Sequence, residues 1–191
     1  MAITSGIFSE EVKFEERLKP TLDELAKTVQ HLKGIGLKIV LTSGSFDLVH
    51  LGHAKYLAKA KEQGDVLVVG VDSDAKIRRR KGEDRPMVPE QERLEMLAHQ
   101  RPVDLLYLKP DGEERWALIK AVEPDVLVLT TDHGYSDDEQ TELEEIVGRI
   151  EVVPRQATIT TSERIRQLHM HLGERIAEVL PELIRDIVRR G

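Results

Sequence analysis

Short runs of β-branched and aliphatic residues recur through the middle of the chain: LKIVLT at 37–42, DVLVVGV at 65–71, VDLLYL at 103–108, DVLVLT at 125–130 and RIEVVP at 149–154. Between them, apolar side chains return at helical spacing in HAKYLAKAKEQG (53–64), PEQERLEMLAHQ (89–100), EERWALIKAVE (113–123) and DDEQTELEEIVG (137–148). Continuously apolar strands are buried on both faces, and parallel strands need crossover helices to connect them. The pattern therefore predicts an α/β fold, a doubly wound, Rossmann-like parallel sheet of five strands with helices on both faces, over residues 37–168. Upstream, residues 9–33 read as helical, with Pro20 opening a second helix and Gly34 and Gly36 ending it before the first strand. Residues 1–36 are expected to be an N-terminal helical extension. The tail, 169–191, reads as a C-terminal helical extension with Ile176, Val179, Leu180, Leu183, Ile184, Ile187 and Val188 at roughly helical spacing. That stripe needs a partner surface, either the core or a second copy, so a homodimer is one expectation.

Composition narrows the chemistry. Among 191 residues there is no cysteine, which excludes a disulfide, a thiolate zinc site and a cysteine nucleophile. Any metal has to be held by oxygen or imidazole. Asp and Glu (35) outnumber Lys and Arg (28), a net charge of −7, so nucleic acid and anionic membrane surfaces are not expected partners. An anionic ligand would need a local basic pocket. The run VLVVGV at 66–71 is far too short to span a bilayer, and the first twenty residues lack a basic segment followed by an apolar one, so a cytoplasmic location is the expectation. Trp116 and three Tyr make no ladder on which bases could stack.

Ligands of open parallel sheets bind beyond the carboxyl ends of the strands, where the strand order reverses. The first strand runs into TSGSFDLVHLGHAKYL (42–57), where Gly44 is expected to allow a tight turn and Asp47, His50, Gly52 and His53 fall at the start of the next helix. Two imidazoles three residues apart share a helical face, and a helix N-terminus attracts anions through its free N–H groups. They are either a cap and a surface residue or donors to phosphate oxygens; Gly52 leaves room for a ligand. The second strand runs into GVDSDAKIRRRKGEDRP (70–86), with Asp72 and Asp74 followed by a basic, mobile loop holding Lys76, Arg78, Arg79, Arg80, Lys81 and Arg85. Such a run is either a solvated face or the charge that neutralises a triphosphate. Thr160, Thr161 and Ser162 stand before the last helix, as caps or as a second phosphate-binding terminus.

GSFDLVHLGHAKYL, GVDSDAKIRRRKGEDRPMVPEQERLEML and ITTSERI together resemble, in order and spacing, the cytidylyltransferase-like nucleotidyltransferases with their H-x-G-H motif. The likeness covers about 37–168 and is nearest to the adenylyltransferase domain of bacterial ADP-heptose synthesis, with glycerol-3-phosphate cytidylyltransferase and archaeal FAD synthetase as relatives. The resemblance implies transfer of AMP or CMP from a nucleoside triphosphate to a phosphate monoester, a sugar or alditol phosphate, with release of pyrophosphate. It implies that His50 and His53 contact the triphosphate and stabilise transition-state charge, helped by Lys81 and, as part of substrate binding, by Arg78 and Arg85. Ser43, Gly44, Ser45, Phe46, Asp47 and Gly52 would lie against the nucleotide, and Asp72 against the substrate. Arg93 matches the Arg of the family's E-x-x-R-like stretch, and Thr160, Thr161 and Ser162 its phosphate-binding hydroxyl cluster. Mg²⁺ would arrive with ATP or CTP, held mainly by phosphates and water.

One segment departs from the heptose-type relatives. Where they tend to carry a Lys-Gly-Gly-Asp-Tyr-like segment after the fourth strand, this chain reads VLTTDHGYSDDE (128–139), with Thr130 and Thr131 in the region of the Lys and with Asp132, Gly134 and Tyr135 keeping part of the pattern. Thr130 and Asp132 are placed with the nucleotide, and Tyr135 and His133 with the acceptor, although His133 reads equally as a solvent-facing loop residue. Two alternatives stand beside the sugar-phosphate reading: an FAD synthetase-like adenylyltransferase, and a nucleotide-binding module that has lost turnover.

Overall fold

The computed structural model describes residues 13–131, 135–154 and 161–190, with the side chains of 161–164, 182–184 and 186–190 left out. Five strands form one sheet: β1 (Ile39–Gly44), β2 (Val66–Asp72), β3 (Leu105–Lys109), β4 (Val126–Thr130) and β5 (Ile150–Val153). Their order is β3-β2-β1-β4-β5 and every pairing is parallel. The order reverses between β1 and β4, so the crevice for a ligand opens beyond their carboxyl ends. The expected doubly wound sheet is therefore present, with each strand within two residues of its apolar run.

Alternation along the strands divides the core. On one face Ile39, Leu41, Val66, Val68, Leu105 and Leu127 pack against α2 (Leu22–Gly34), α6 (Ala117–Val122) and α7 (Asp137–Glu144). On the other, Val40, Leu67, Val69, Val71, Leu106 and Val128 pack against α3 (Leu51–Lys61) and α5 (Glu90–Ala98). α1 (Phe14–Arg17) lies by this second face, and α4 (Asp74–Lys81) follows β2 directly.

Within the segment expected to be an N-terminal extension, residues from Arg17 to Leu32 pack onto this core. Leu25, Val29 and Leu32 of α2 are buried on the first face, and Arg17 is buried while its Nη1 donates to the carbonyls of Ala98 (2.8 Å) and Val103 (2.5 Å). Leu18 bridges to Leu106, and Lys19 N donates to the Leu106 carbonyl, so this stretch of chain ties onto the β3 edge. α2 starts at the Thr21 cap rather than at Pro20, and Gly36 takes positive φ (87°) beyond its end.

At the other end, α8 (Thr161–Arg190) runs unbroken through the expected boundary at 168/169. The chain divides into compact units Met1–Gln156 and Ala157–Gly191, and the second is described by its helix alone. Leu168, Leu172, Ile176, Val179 and Leu180 are exposed on it. Among the described residues no helix is long and apolar enough to cross a membrane.

Candidate active site

Beyond β1 the chain makes a turn held by main-chain bonds. Phe46 and Leu48 take left-handed φ (48° and 51°), an uncommon conformation for bulky side chains. Gly44 serves this turn through its missing side chain rather than its backbone freedom: a Cβ there would stand 3.1 Å from the Phe46 ring. The buried Asp47 carboxylate locks the turn to the 85–88 segment, accepting from Met87 N (3.0 Å) and Val88 N (3.1 Å) and pairing with Arg85 (3.2 Å). Arg93 does the same from α5. It donates to the carbonyls of Ser45 (2.5 Å) and Val88 (3.0 Å) and to Asp74 Oδ1 (2.7 Å), at 1% exposure.

The turn delivers the two histidines. His50 is the N-cap of α3: its Nδ1 accepts from Gly52 N (3.0 Å), while His53 Nδ1 accepts from His50 N (3.4 Å), a capping box made of imidazoles. The rings stack with centroids 4.1 Å apart, and Phe46 lies 5.6 Å from His53. Because each Nδ1 accepts from the main chain, the neutral rings carry their protons on Nε2. The cap reading holds for both Nδ1 atoms, and the donor reading, which would use Nε2–H, is compatible with it. Burial, then the neighbouring His50 and Lys81, push His53 down to about 4 against the opposing pull of Asp47. His53 is accordingly neutral at pH 7.

Beside the turn opens a cleft of about 700 Å³ at the carboxyl ends of β1 to β4. Of the residues singled out from the sequence, Ser43, Gly44, Asp72, Lys81, Thr130 and Tyr135 line it. Burial, then Glu139, raise the Tyr135 phenol, which stays protonated. Asp72, 2% exposed, is surrounded by Arg80 (3.0 Å), Lys109 (3.5 Å) and Lys76 (3.9 Å). Arg80 also donates to Ser45 Oγ (2.8 Å), joining the turn to the cleft wall.

Several sequence expectations change. Residues 74–81 are helix α4, capped by Ser73, so Lys81 sits on a last helical turn rather than in a loop. Burial, then Arg80 and Arg85, lower the Lys81 ammonium. Arg93 and Arg85, expected at the substrate, bond to the turn and to the segments that brace it. Arg78 is absent from the cleft wall. Gly52 is buried and acts through its N–H on His50. Asp132, His133 and Thr160 lie outside the described residues; Thr161 and Ser162 open α8, and their side chains lie outside them too.

Sequence reasoning missed the far wall. Lys109, Glu113, Arg115 and Trp116, from the end of β3 and the segment leading into α6, all line the cleft. Tyr107 donates to Glu113 (2.7 Å), Arg115 pairs with Glu139, and the Arg115 guanidinium stands 4.3 Å from the Trp116 ring. The available signal was position: Lys109 ends an apolar strand, where ligand-facing residues of this fold belong.

Comparison with known proteins agrees with this geometry. Bifunctional protein HldE of a Nitratiruptor species is 40% identical over 152 residues, 80% of this chain and 32% of that protein. HldE of Geobacter metallireducens is 47% identical over 112 residues, 59% of this chain and 23% of the relative. The chain thus spans a third or less of these relatives. A crystal structure of the lipopolysaccharide core biosynthesis protein from Thermoplasma volcanium superposes with a TM-score of 0.54 at 30% identity, over 63% of this chain and 97% of that one. Pantoate-beta-alanine ligase from Francisella tularensis, 18% identical with a TM-score of 0.52 over 72% of this chain and 66% of its own, shares the fold alone. The cytidylyltransferase-like family pattern matches residues 41–185, the turn, both histidines and the whole cleft included, and the chain belongs to that family.

Proposed function

We propose that this protein transfers a nucleoside monophosphate, AMP in preference to CMP, from a nucleoside triphosphate to a sugar phosphate and releases pyrophosphate. The observation that carries the reading is the stacked His50–His53 pair, each Nδ1 fixed by the main chain at a helix N-terminus, beside a cleft that Lys76, Arg80, Lys81 and Lys109 line. An oxygen of the acceptor phosphate attacks the α-phosphorus in line; the new O–P bond forms as the bond to the bridging oxygen breaks, and its electron pair leaves with pyrophosphate. No proton has to move, because nucleophile and leaving group are both anionic oxygens. What remains for the protein is positioning and stabilisation of charge on the α-phosphoryl oxygens, the task of donors preorganised outside water. Lys81 and the start of α3 hold the triphosphate, and Ser43 and Gly44 border it.

The triphosphate is the substrate as its magnesium complex. Among the described residues no three carboxylates or imidazoles converge on a point, and Asp47 and Asp72 are already committed to N–H donors and cations. We infer that the ion is held mainly by the phosphates and water, as suits a hard cation that keeps its hydration. The choice of AMP and of a sugar phosphate is supported by the likeness to HldE and to the lipopolysaccharide core biosynthesis protein from Thermoplasma volcanium. Pyrophosphate release from ATP or CTP with magnesium, across heptose 1-phosphate, glycerol 3-phosphate and FMN, tests it. Release with ATP and heptose 1-phosphate supports the reading; release with FMN instead moves the enzyme to flavin dinucleotide synthesis. Nucleotide binding without release under any acceptor leaves a binding module.

A further inference from the structure

The cations around Asp72 outnumber what one carboxylate needs. Arg80, Lys109 and Lys76 stand 3.0, 3.5 and 3.9 Å from its oxygens, three positive charges on one negative one. Glu113, another carboxylate on this wall, accepts the Tyr107 hydroxyl and also attracts the Lys109 ammonium, leaving three cations shared between two carboxylates. Like charges gathered in a half-buried cleft repel one another, and the wall gains stability when an anion joins it.

Lys109 stands out among them. As the last residue of β3 its main chain is two strands from β1, about 10 Å at the usual strand spacing. Its side chain recovers part of that distance by crossing β2 at Gly70. A Cβ on Gly70 would lie 2.9 Å from Lys109 Cδ, 2.9 Å from Ser43 Oγ and 2.4 Å from Leu118 Cδ2. The bare glycine is thus the gap through which the lysine stem passes, toward Ser43 at the carboxyl end of β1, where the histidine turn begins. Burial lowers the Lys109 ammonium, with Asp72 and Glu113 opposing and Lys76 adding to it. A cation so placed is desolvated and only partly compensated.

Resting on the transferase reading above, we propose that Lys109, passed over Gly70 and steadied by Asp72, is a specificity-determining residue that binds the phosphate of the acceptor, with Arg80 and Lys76 beside it. The acceptor is then a phosphate monoester whose hydroxylated body lies along Trp116 and Tyr135, within reach of Glu113 and Glu139 as acceptors for its hydroxyls. The triphosphate stays on the histidine turn and draws on Lys81. The two substrates are read by different lysines.

Trp116, the only tryptophan, lines the cleft and reports binding by its fluorescence. The full-length chain is titrated with MgATP, with heptose 1-phosphate and with the unphosphorylated heptose. Lys109→Met is expected to weaken the sugar phosphate about 10- to 100-fold, the range for a lost charge-assisted hydrogen bond, and to leave MgATP within about twofold. Lys109→Arg recovers part of the loss, and the bare heptose binds both forms alike. Gly70→Ala, which blocks the stem's path, should reproduce the defect where a thermal melt shows a folded protein; Lys109→Met carries the test if it does not fold. Equal loss of both ligands, an unchanged sugar-phosphate affinity, or no sugar-phosphate binding by the wild type overturns the proposal. A binding split without pyrophosphate release in the wild type keeps the subsite and removes the transferase reading, so the two failures are told apart.

Discussion

The two rims of the cleft are built by opposite means. On the β1–α3 rim the polar side chains bond mostly to main chain, Asp47 to Met87 N and Val88 N, Arg93 to the Ser45 and Val88 carbonyls, His50 and His53 to the start of α3, with the Asp47–Arg85 and Arg93–Asp74 pairs added to these. On the β3–α6 rim they bond to one another: Lys109 and Arg80 to Asp72, Arg115 to Glu139, Tyr107 to Glu113. A side chain bonded to backbone cannot be displaced without disturbing the fold, whereas a side-chain pair can exchange one partner for a ligand. On the transferase reading proposed above, the first rim suits the invariable part of the reaction, the geometry at the α-phosphorus, and the second suits selection among acceptors. Mutations on the first rim should change rate or stability, and those on the second affinity for one substrate.

The largest break in that contrast is His53→Asn. Removing a preorganised donor to developing charge costs about 10²–10³ in kcat, with KM for either substrate little changed. Pyrophosphate release under saturating substrates measures it, and a variant within about threefold of the wild type would remove His53 from the transition state. Arg93→Met follows. It strips bonds from two carbonyls and leaves Asp74 without its buried partner, so the loss should be about 3 kcal/mol, read as a shift in the urea midpoint. A stable variant with weakened acceptor binding would instead return Arg93 to the substrate.

Periodicity carried the sheet, its crossover helices and the position of the histidine turn, because parallel strands and amphipathic helices are written locally. It could not tell an extension from a core helix. Leu25, Val29 and Leu32 make the same stripe whether they cover the sheet or another surface, and only the tertiary packing shows that they cover it. Residues 74–81 hid their helix because Ile77 is the sole buried residue in it, so no apolar repeat marks the turn count. Arg93 and Lys109 were illegible for a related reason. One looks like an exposed helix residue and the other like the polar end of a strand until partners 5 to 48 residues away bury the first, and a glycine on the adjacent strand lets the second lean toward β1.

A smaller effect sharpens the first rim. The His53 ring titrates at about 4 in the folded protein against an ordinary 6.5. Between those values the unfolded chain takes up a proton that the folded one refuses, so stability falls as pH drops through that window and is flat above it. Urea midpoints from pH 7 to pH 4 should fall more steeply for the wild type than for His53→Gln, since Gln cannot titrate. Parallel slopes would mean that the ring protonates freely, and that the charge on the resting rim is not the one deduced from its burial. Bound triphosphate, being anionic, should move the ring's titration upward, which its NMR shift would follow.

The smallest expected effect belongs to the second rim. Arg115 is largely exposed and its partner Glu139 partly so, and such pairs contribute roughly 0–1 kcal/mol because solvent screens the charges and two long side chains must be held still. Arg115→Gln should leave the urea midpoint nearly unchanged. It also takes away the guanidinium that stands 4.3 Å from the Trp116 ring, and frees the Glu139 carboxylate at the cleft wall. A displaceable rim answers such a change with a shifted Trp116 emission and an altered sugar-phosphate affinity at constant stability. A braced rim answers with a lowered midpoint, and a drop above about 1 kcal/mol, the ceiling for an exposed pair, would show that the β3–α6 side is held as firmly as the histidine turn.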